Sequence, residues 1–298
     1  MGGLRRARFD RVSRRKLFSH FVSVLAGLTI IVVLIPLASI IYEAIIRGGA
    51  VLLNLAFFTA PQPNGCSVLS CSTVGIGPAI QGTLILISCA GALSTGIGVL
   101  AAVFASEYRT RGLGRAISFS ADVMTGIPSI LAGVTVYSFI AIYDPTLAFS
   151  TISGILALSI IMIPIIVRTT EEALRTVPNT IREAALALGI PKWRATVKIV
   201  LATALPGVLT GILLALMRAA GDAAPLLFTA FGSRLFFQGF NRPIAALPLL
   251  IYNFANSAYP NQIKVAWGAV LFLLALVLTA NVLSRLSIQR MIRRMEGR

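Results

Sequence analysis

Charge is what this chain lacks: Asp, Glu, Lys and Arg make up only 12% of it, against about 25% in soluble domains. Acidic residues are the scarcest, 10 against 26 basic ones. The only histidine, His20, stands at the start of an apolar run, which excludes a His-rich metal centre and argues against a serine–histidine catalytic arrangement. Three cysteines are too few for a metal or redox framework. None of the lysines (Lys16, Lys192, Lys198 and Lys264) follows a glycine, so no G-x-x-x-x-G-K-[ST] phosphate loop exists. The chain itself is expected to bind no metal or cofactor and to catalyse no bond cleavage; if it uses ATP, another chain hydrolyses it.

Apolar residues are abundant instead: 57% of the sequence, with a mean hydropathy of +0.88. Such a chain is an integral membrane protein. A span needs roughly 20 apolar residues to cross a hydrocarbon core of about 30 Å. Six runs qualify, near Leu17 to Ile46, Ala79 to Glu107, Ile117 to Tyr143, Leu147 to Val167, Leu205 to Phe231 and Val265 to Leu286. Strand-type alternation is absent, and backbone groups in lipid must bond within their own segment, so the expected fold is all-α with six transmembrane helices. The first run lacks a small-residue cleavage site after a short apolar core and reads as a retained span rather than a signal peptide.

The net charge of +16 reports orientation. With both termini placed in the cytoplasm, basic residues crowd the inner segments: before Leu17, between Arg109 and Arg115, between Arg168 and Lys198, and from Arg285 onward. The outer segments hold only Arg47, Arg234, Arg242 and Lys264, and Arg218 falls inside a span. This is the positive-inside pattern of a multi-pass protein in membrane lipid, and it gives no reason to invoke nucleic acid. The organisation is then a basic tail (1–16), a membrane domain (17–286) with an outer loop (47–78) and a cytoplasmic loop (169–203), and a second basic tail (287–298). Cys66 and Cys71 share the outer loop, where a pair can oxidise. A redox switch, a small structural staple and two free thiols all remain open for them; Cys89, in an apolar span, reads as packing.

The cytoplasmic loop is where the sequence becomes specific. After Pro178, Asn179 or Thr180 can cap a helix over Ile181 to Leu188. Gly189 suits a left-handed C-terminal position, and Pro191 can start a second helix. The small Ala184, Ala185 and Ala187 permit close approach to a partner, with Arg182, Glu183, Lys192 and Arg194 able to pair around the rim. A membrane-surface helix would show basic and bulky apolar residues rather than alanines around one glutamate.

Glu183, Ala184 and Ala185, then Gly189, then Ile199 make this loop resemble the cytoplasmic EAA motif of ABC-importer permeases. The proline usual three positions after that isoleucine is Ala202 here, with Leu205-Pro206 following. Further stretches are similar to the phosphate-import (PstA-type) permeases: Ile76 to Thr83, Gly126 to Gly133, Glu171 to Gly189, Leu205 to Phe228 and Leu247 to Tyr252. The family's Gly-Glu-Thr-Ala-Pro is Gly221-Asp222-Ala223-Ala224-Pro225 here, a carboxylate one methylene shorter. The resemblance covers most of the chain after Gly75. It implies a MetI-like type I importer permease in a prokaryotic plasma membrane. It also implies a homologous permease partner in a heterodimer, two ATPase subunits that bind ATP and Mg, and an extracytoplasmic phosphate-binding protein. In the family the EAA loop enters a cleft of the ATPase and transmits its closure.

Arg218 lies 13 residues into the fifth run, about 20 Å at 1.5 Å per residue. A charge there costs at least ~2.5 kcal/mol and faces a cavity or a partner. A guanidinium offers a planar donor fork suited to phosphate oxygens. Two readings stand: Arg218 lines the transport path, or it forms an intrahelical pair with Asp222 four residues on. Gly221 and Pro225 weaken the helix around this pair, as Gly126 to Ser129 do in the third run, giving either gate kinks or close packing. Asp122 is read as reaching the interface and Glu171 and Glu172 as a solvated face. Trp193 is read as packing on the ATPase or anchoring at the interface, and Phe236, Phe237, Phe240 and Tyr252 as lipid-interface anchors or a docking surface for the binding protein. The expected function is phosphate import. The alternatives are a permease for another oxyanion such as sulfate or molybdate, and a non-transporting phosphate-sensing membrane subunit.

Overall fold

The computed structural model describes residues 3–62, 75–108 and 112–296. Cys66 and Cys71 lie outside the described residues, and their pairing with them. The chain folds as α1 (Gly3–Leu52), α2 (Leu55–Thr59), α3 (Gly77–Glu107), α4 (Gly112–Thr125), α5 (Ser129–Tyr143) and α6 (Thr151–Arg175). There follow α7 (Asn179–Ala187), α8 (Lys192–Ala195), α9 (Leu201–Ala220), α10 (Ala224–Leu227), α11 (Leu247–Ala255) and α12 (Pro260–Glu296). The only β-type pairing among the described residues is one parallel bridge, Phe231 to Ile244.

Five helical runs are long and apolar enough to cross a membrane: Phe18–Leu52, Gly77–Glu107, Thr151–Arg175, Lys192–Ala220 and Pro260–Arg290. The third expected span is not one straight helix. Its two halves, α4 and α5, meet at 107°. Pro128 has no N–H to donate and drives Ile127 out of the helical region, so α4 closes with turn bonds from Gly126 and Ile127 to Val123 and Met124.

Glycine contacts fix the directions. Gly154 of α6 lies against Leu86 of α3, Gly91 against Met162, and Gly98 against Ile166, so α3 and α6 run parallel. The bent α4–α5 pair must therefore carry the chain back across, and it is one broken span. α9 is antiparallel to α6: Gly207 meets Ala173, and at Gly211 a Cβ would come within 2.0 Å of the Thr169 hydroxyl. Among the described residues, six alternating crossings leave the start of α1 and the end of α12 on one side of the bundle.

Lipid tails are as apolar as leucine, so helices in a membrane associate through close packing rather than through expulsion of water. The core accordingly mixes large side chains with small ones: Leu86, Leu158, Met162, Ile166, Leu226 and Leu249 interlock with Ala90, Ala215, Ala219 and Ala230. α1 stays outside this core. Its apolar 18-residue window has no buried residue, and its outer end packs on the start of α12, Gly48 against Trp267.

The fifth expected span, Leu205 to Phe231, is corrected at both ends. α8 runs through a π-helical turn (Thr196–Val200) into α9 without a break, so the second short helix of the 169–203 loop is the start of the span itself. Ala202 in place of proline permits that continuity. At the other end α9 stops at Ala220, and Phe231, with φ of +57°, belongs to a turn beyond α10. The segment from there to α11 folds over the bundle: the Phe240 and Arg242 carbonyls accept the N–H groups of Ile152 and Thr151 (3.1 and 2.9 Å), satisfying two donors at the start of α6. Phe236 packs on Gly77 and Phe237 joins the core, so these two rings serve the fold. Between α5 and α6, the Thr146 hydroxyl and N–H bond to Asp144 and hold its carboxyl below the usual range.

Candidate functional site

Two places hold the charged residues to which the sequence assigns a function. The first is Arg218, in the last turn of α9, where the negative end of the helix dipole favours a cation. It is exposed, makes no ion pair among the described residues, and borders a cavity of about 130 Å³ with Thr125, Ile127, Thr135, Ile161 and Ile165. Ile161 and Ile165 lie about 15 and 21 Å along α6 at 1.5 Å per residue, close to its midpoint. The cavity also opens at the α4–α5 break. Arg218, in the last turn of its own span, is thus level with the middle of α6 and beside the broken α4–α5 span.

The intrahelical Arg218–Asp222 pair is not formed. Gly221 ends α9 before a further turn can carry Asp222 round to Arg218. The Asp222 carboxylate accepts the Ala224 N–H at 3.1 Å in a local turn just ahead of α10, whose N-cap is Ala223. Pro225, in the first turn of α10, is buried and packs on α5: a Cβ on Gly133 would meet its carbonyl oxygen at 2.5 Å. Gly221 has no neighbour within 4 Å of where a Cβ would stand and an ordinary φ of −101°. It marks the helix end without being needed for close packing.

The second place is the hairpin of α7 and α8. α7 spans Asn179–Ala187 with Pro178 as its N-cap and no side-chain cap bond, so neither Asn179 nor Thr180 caps it. Gly189 has φ of +75°, as its position requires, and the Ile190 N–H returns to the Ala185 carbonyl at 3.1 Å. Ala185 is buried, while Glu183, Ala184 and Gly189 are exposed, with Leu186, Leu188, Trp193 and Val197 forming an apolar surface beside them. Ile199 is half-buried in the π-helical turn. The rim pairing differs from expectation. Glu183 makes no ion pair among the described residues and Arg194 lies over the Trp193 ring, whereas Arg182 and Lys192 both turn inward to Glu107.

Two further acids are held in ion pairs. Glu171, expected on a solvated face, has no exposed surface. It bonds Arg175, Arg168 (3.3 Å) and the Ser118 hydroxyl (3.0 Å). Asp122, expected to reach the interface, pairs with Arg168 at 2.7 Å and so ties α4 to α6. Arg168 and Arg175 stand at helical spacing from Glu171 within α6, whereas the Ser118–Glu171 and Asp122–Arg168 contacts join separate helices and have no local sequence signal.

Comparison with known proteins agrees with this architecture. Residues 94–297 match the family model described as binding-protein-dependent transport system inner membrane component. The chain is 39% identical over 236 residues to the phosphate transport system permease protein PstA of Yersinia pestis, covering 78% of this chain and 77% of that one. It is 34% identical to the PstA protein of Haemophilus influenzae, over 92% of this chain and 95% of the other. Among solved structures, the inward-facing MetNI methionine ABC transporter superposes with a TM-score of 0.59 at 21% identity, covering 71% of this chain and 94% of that one, which shows a shared fold. The chain is a multi-pass inner membrane protein, and it belongs to the inner membrane components of binding-protein-dependent transport systems, in the family of the PstA permease proteins.

Proposed function

We propose that this chain is the phosphate-conducting permease subunit of an ATP-driven importer, contributing half of a pore completed by a homologous permease. The observation that carries the reading is Arg218: a cation at mid-depth, without a counter-ion among the described residues, beside a cavity at the broken span. A charge in that position is costly unless an ion or water-filled path accounts for it. The names of the relatives supply the ion, phosphate.

The mechanism follows from the two charged places. Phosphate released by an extracytoplasmic binding protein enters the pore, and the Arg218 fork donates hydrogen bonds to its oxygens. One such group gives attraction without the multidentate grip that would stall release. Asp222 and Pro225 set the position of Arg218 by ending α9 and docking α10 on α5. On the cytoplasmic face, Glu183, Ala184 and the apolar surface around Leu186 and Trp193 enter a cleft of an ATPase subunit; two such subunits bind ATP and Mg. Ala185, Gly189 and Ile199 hold the hairpin's shape against α6 and α9. The bent α4–α5 pair and the α9–α10 break are where the bundle changes between inward- and outward-facing forms. Both termini lie in the cytoplasm.

The test is ATP-dependent uptake of labelled phosphate and labelled sulfate into vesicles carrying the assembled complex. Phosphate uptake that excess sulfate does not suppress, lost in Glu183→Ala while ATP hydrolysis continues, is the expected result. Equal sulfate uptake would make the chain a general oxyanion permease. ATP hydrolysis with no uptake of either anion would favour a sensing subunit.

A further inference from the structure

Glu107 is an acid in an unfavourable place. It is the last residue of α3, where the helix dipole disfavours negative charge, and its side chain is only 11% exposed. Two cations from the α7–α8 hairpin compensate it. Arg182 of α7 bonds one carboxylate oxygen and also donates to the Leu174 carbonyl in the last turn of α6 at 3.1 Å. Lys192 of α8 lies 3.6 Å from the other carboxylate oxygen and 3.4 Å from the Glu107 carbonyl, with its ammonium 4.8 Å above the Tyr108 ring. One carboxylate therefore holds both arms of the hairpin.

The contact is also a narrow one. Behind it is a cavity of about 200 Å³ bordered by Glu107, Arg182, Lys192, Leu186 and Thr196, so between the hairpin and α3 the ion pairs bridge a partly open space. The hairpin faces two ways: Glu183 and the exposed apolar residues point away from the chain, while Arg182 and Lys192 point back to α3. α3 in turn packs along α6 from Leu86 to Gly98, beside the core that includes the Arg218 helix.

We propose that Glu107 is a positioning residue for transport, a point at which movement of the hairpin is handed to α3 beside the direct continuation of α8 into α9. The inference rests on the importer reading above, with the hairpin as the ATPase contact. Breaking the clamp leaves the outward face of the hairpin intact, so the ATPase still docks and turns over while less of its motion reaches the bundle.

The experiment compares wild type, Glu107→Gln and Glu107→Asp as full complexes in vesicles, reading ATP hydrolysed per phosphate taken up at saturating phosphate. Glu107→Gln is expected to raise that ratio roughly fivefold or more, with the phosphate concentration for half-maximal uptake unchanged. Glu107→Asp, which keeps the charge and shortens the reach, is expected to restore part of the coupling. A ratio unchanged in Glu107→Gln, or uptake and hydrolysis falling in equal proportion, overturns the proposal. Should Glu107→Gln fail to assemble, Arg182→Lys and Lys192→Ala loosen the same clamp from the hairpin side, and an unchanged ratio in both overturns it equally. Wild-type vesicles that hydrolyse ATP without phosphate uptake would instead overturn the importer reading itself.

Discussion

Glu171 and Arg218 sit on two helices packed against each other, α6 and α9, and the fold treats them in opposite ways. Glu171 has no exposed surface and is met by two arginines and a serine hydroxyl, so its charge is cancelled where it stands. Arg218 has no ion pair among the described residues and faces a cavity. The chain has few acids, and those nearby are committed elsewhere: Glu171 and Asp122 to Arg168 and Arg175, Glu107 to the hairpin, Asp222 to the start of α10. The difference teaches that counter-charge is supplied to the arginines that hold helices together and withheld from the one that meets the mid-depth cavity.

Making Arg218 resemble Glu171 breaks the comparison most severely. Thr135→Glu puts a carboxylate into the same cavity, and phosphate uptake is expected to fall at least ~10-fold while the complex assembles normally, because removing an interaction of about 1.4 kcal/mol or more costs that factor. Assembly is checked by size-exclusion chromatography of the purified complex. The converse change, Glu171→Ala, removes the carboxylate shared by Arg168, Arg175 and Ser118; Arg168 keeps Asp122 and Arg175 reaches solvent, so the expected cost is about 1–2 kcal/mol of stability. It should appear as a marked drop in melting temperature, with uptake per folded complex much less affected.

Asp222 sharpens the contrast between an acid that closes a local turn and a counter-ion. Asp222→Asn keeps an acceptor for the Ala224 N–H and should leave uptake within about twofold, whereas Asp222→Ala removes that hydrogen bond and should cost about 1 kcal/mol in thermal unfolding. An Arg218 counter-ion would respond the other way, since Asn would already abolish the pair. The smallest effect belongs to Asp144. Its carboxyl is held below its ordinary value, so its contribution is complete above about pH 3.8 and fades as the pH falls through the lowered value in the folded protein. Asp144→Ala should lower the melting temperature slightly at pH 7, and the difference from wild type should vanish in acid.

Much of this was legible in the sequence. The apolar runs gave the number of crossings, and Gly189 gave the left-handed turn of the hairpin, because local composition decides both. Hydropathy could not show where a span stops or bends: the stretches around Gly221 and Gly126 stay apolar on average, and it is the backbone hydrogen bonding that ends α9 and turns α4 into α5. Pairing was the least legible. Ser118 reaches Glu171 across 53 residues and Glu107 reaches Arg182 across 75. Asp222 at the helical spacing from Arg218 looked like its partner, and it is not, because the helix ends between them.

The most direct test of the central claim is ATP-dependent phosphate uptake by the assembled complex with Arg218→Ala, measured beside its melting temperature. Uptake reduced to background with stability close to wild type would establish Arg218 as a charge kept for the transported anion. Uptake at the wild-type rate would contradict the account and place the anion's site elsewhere in the pore.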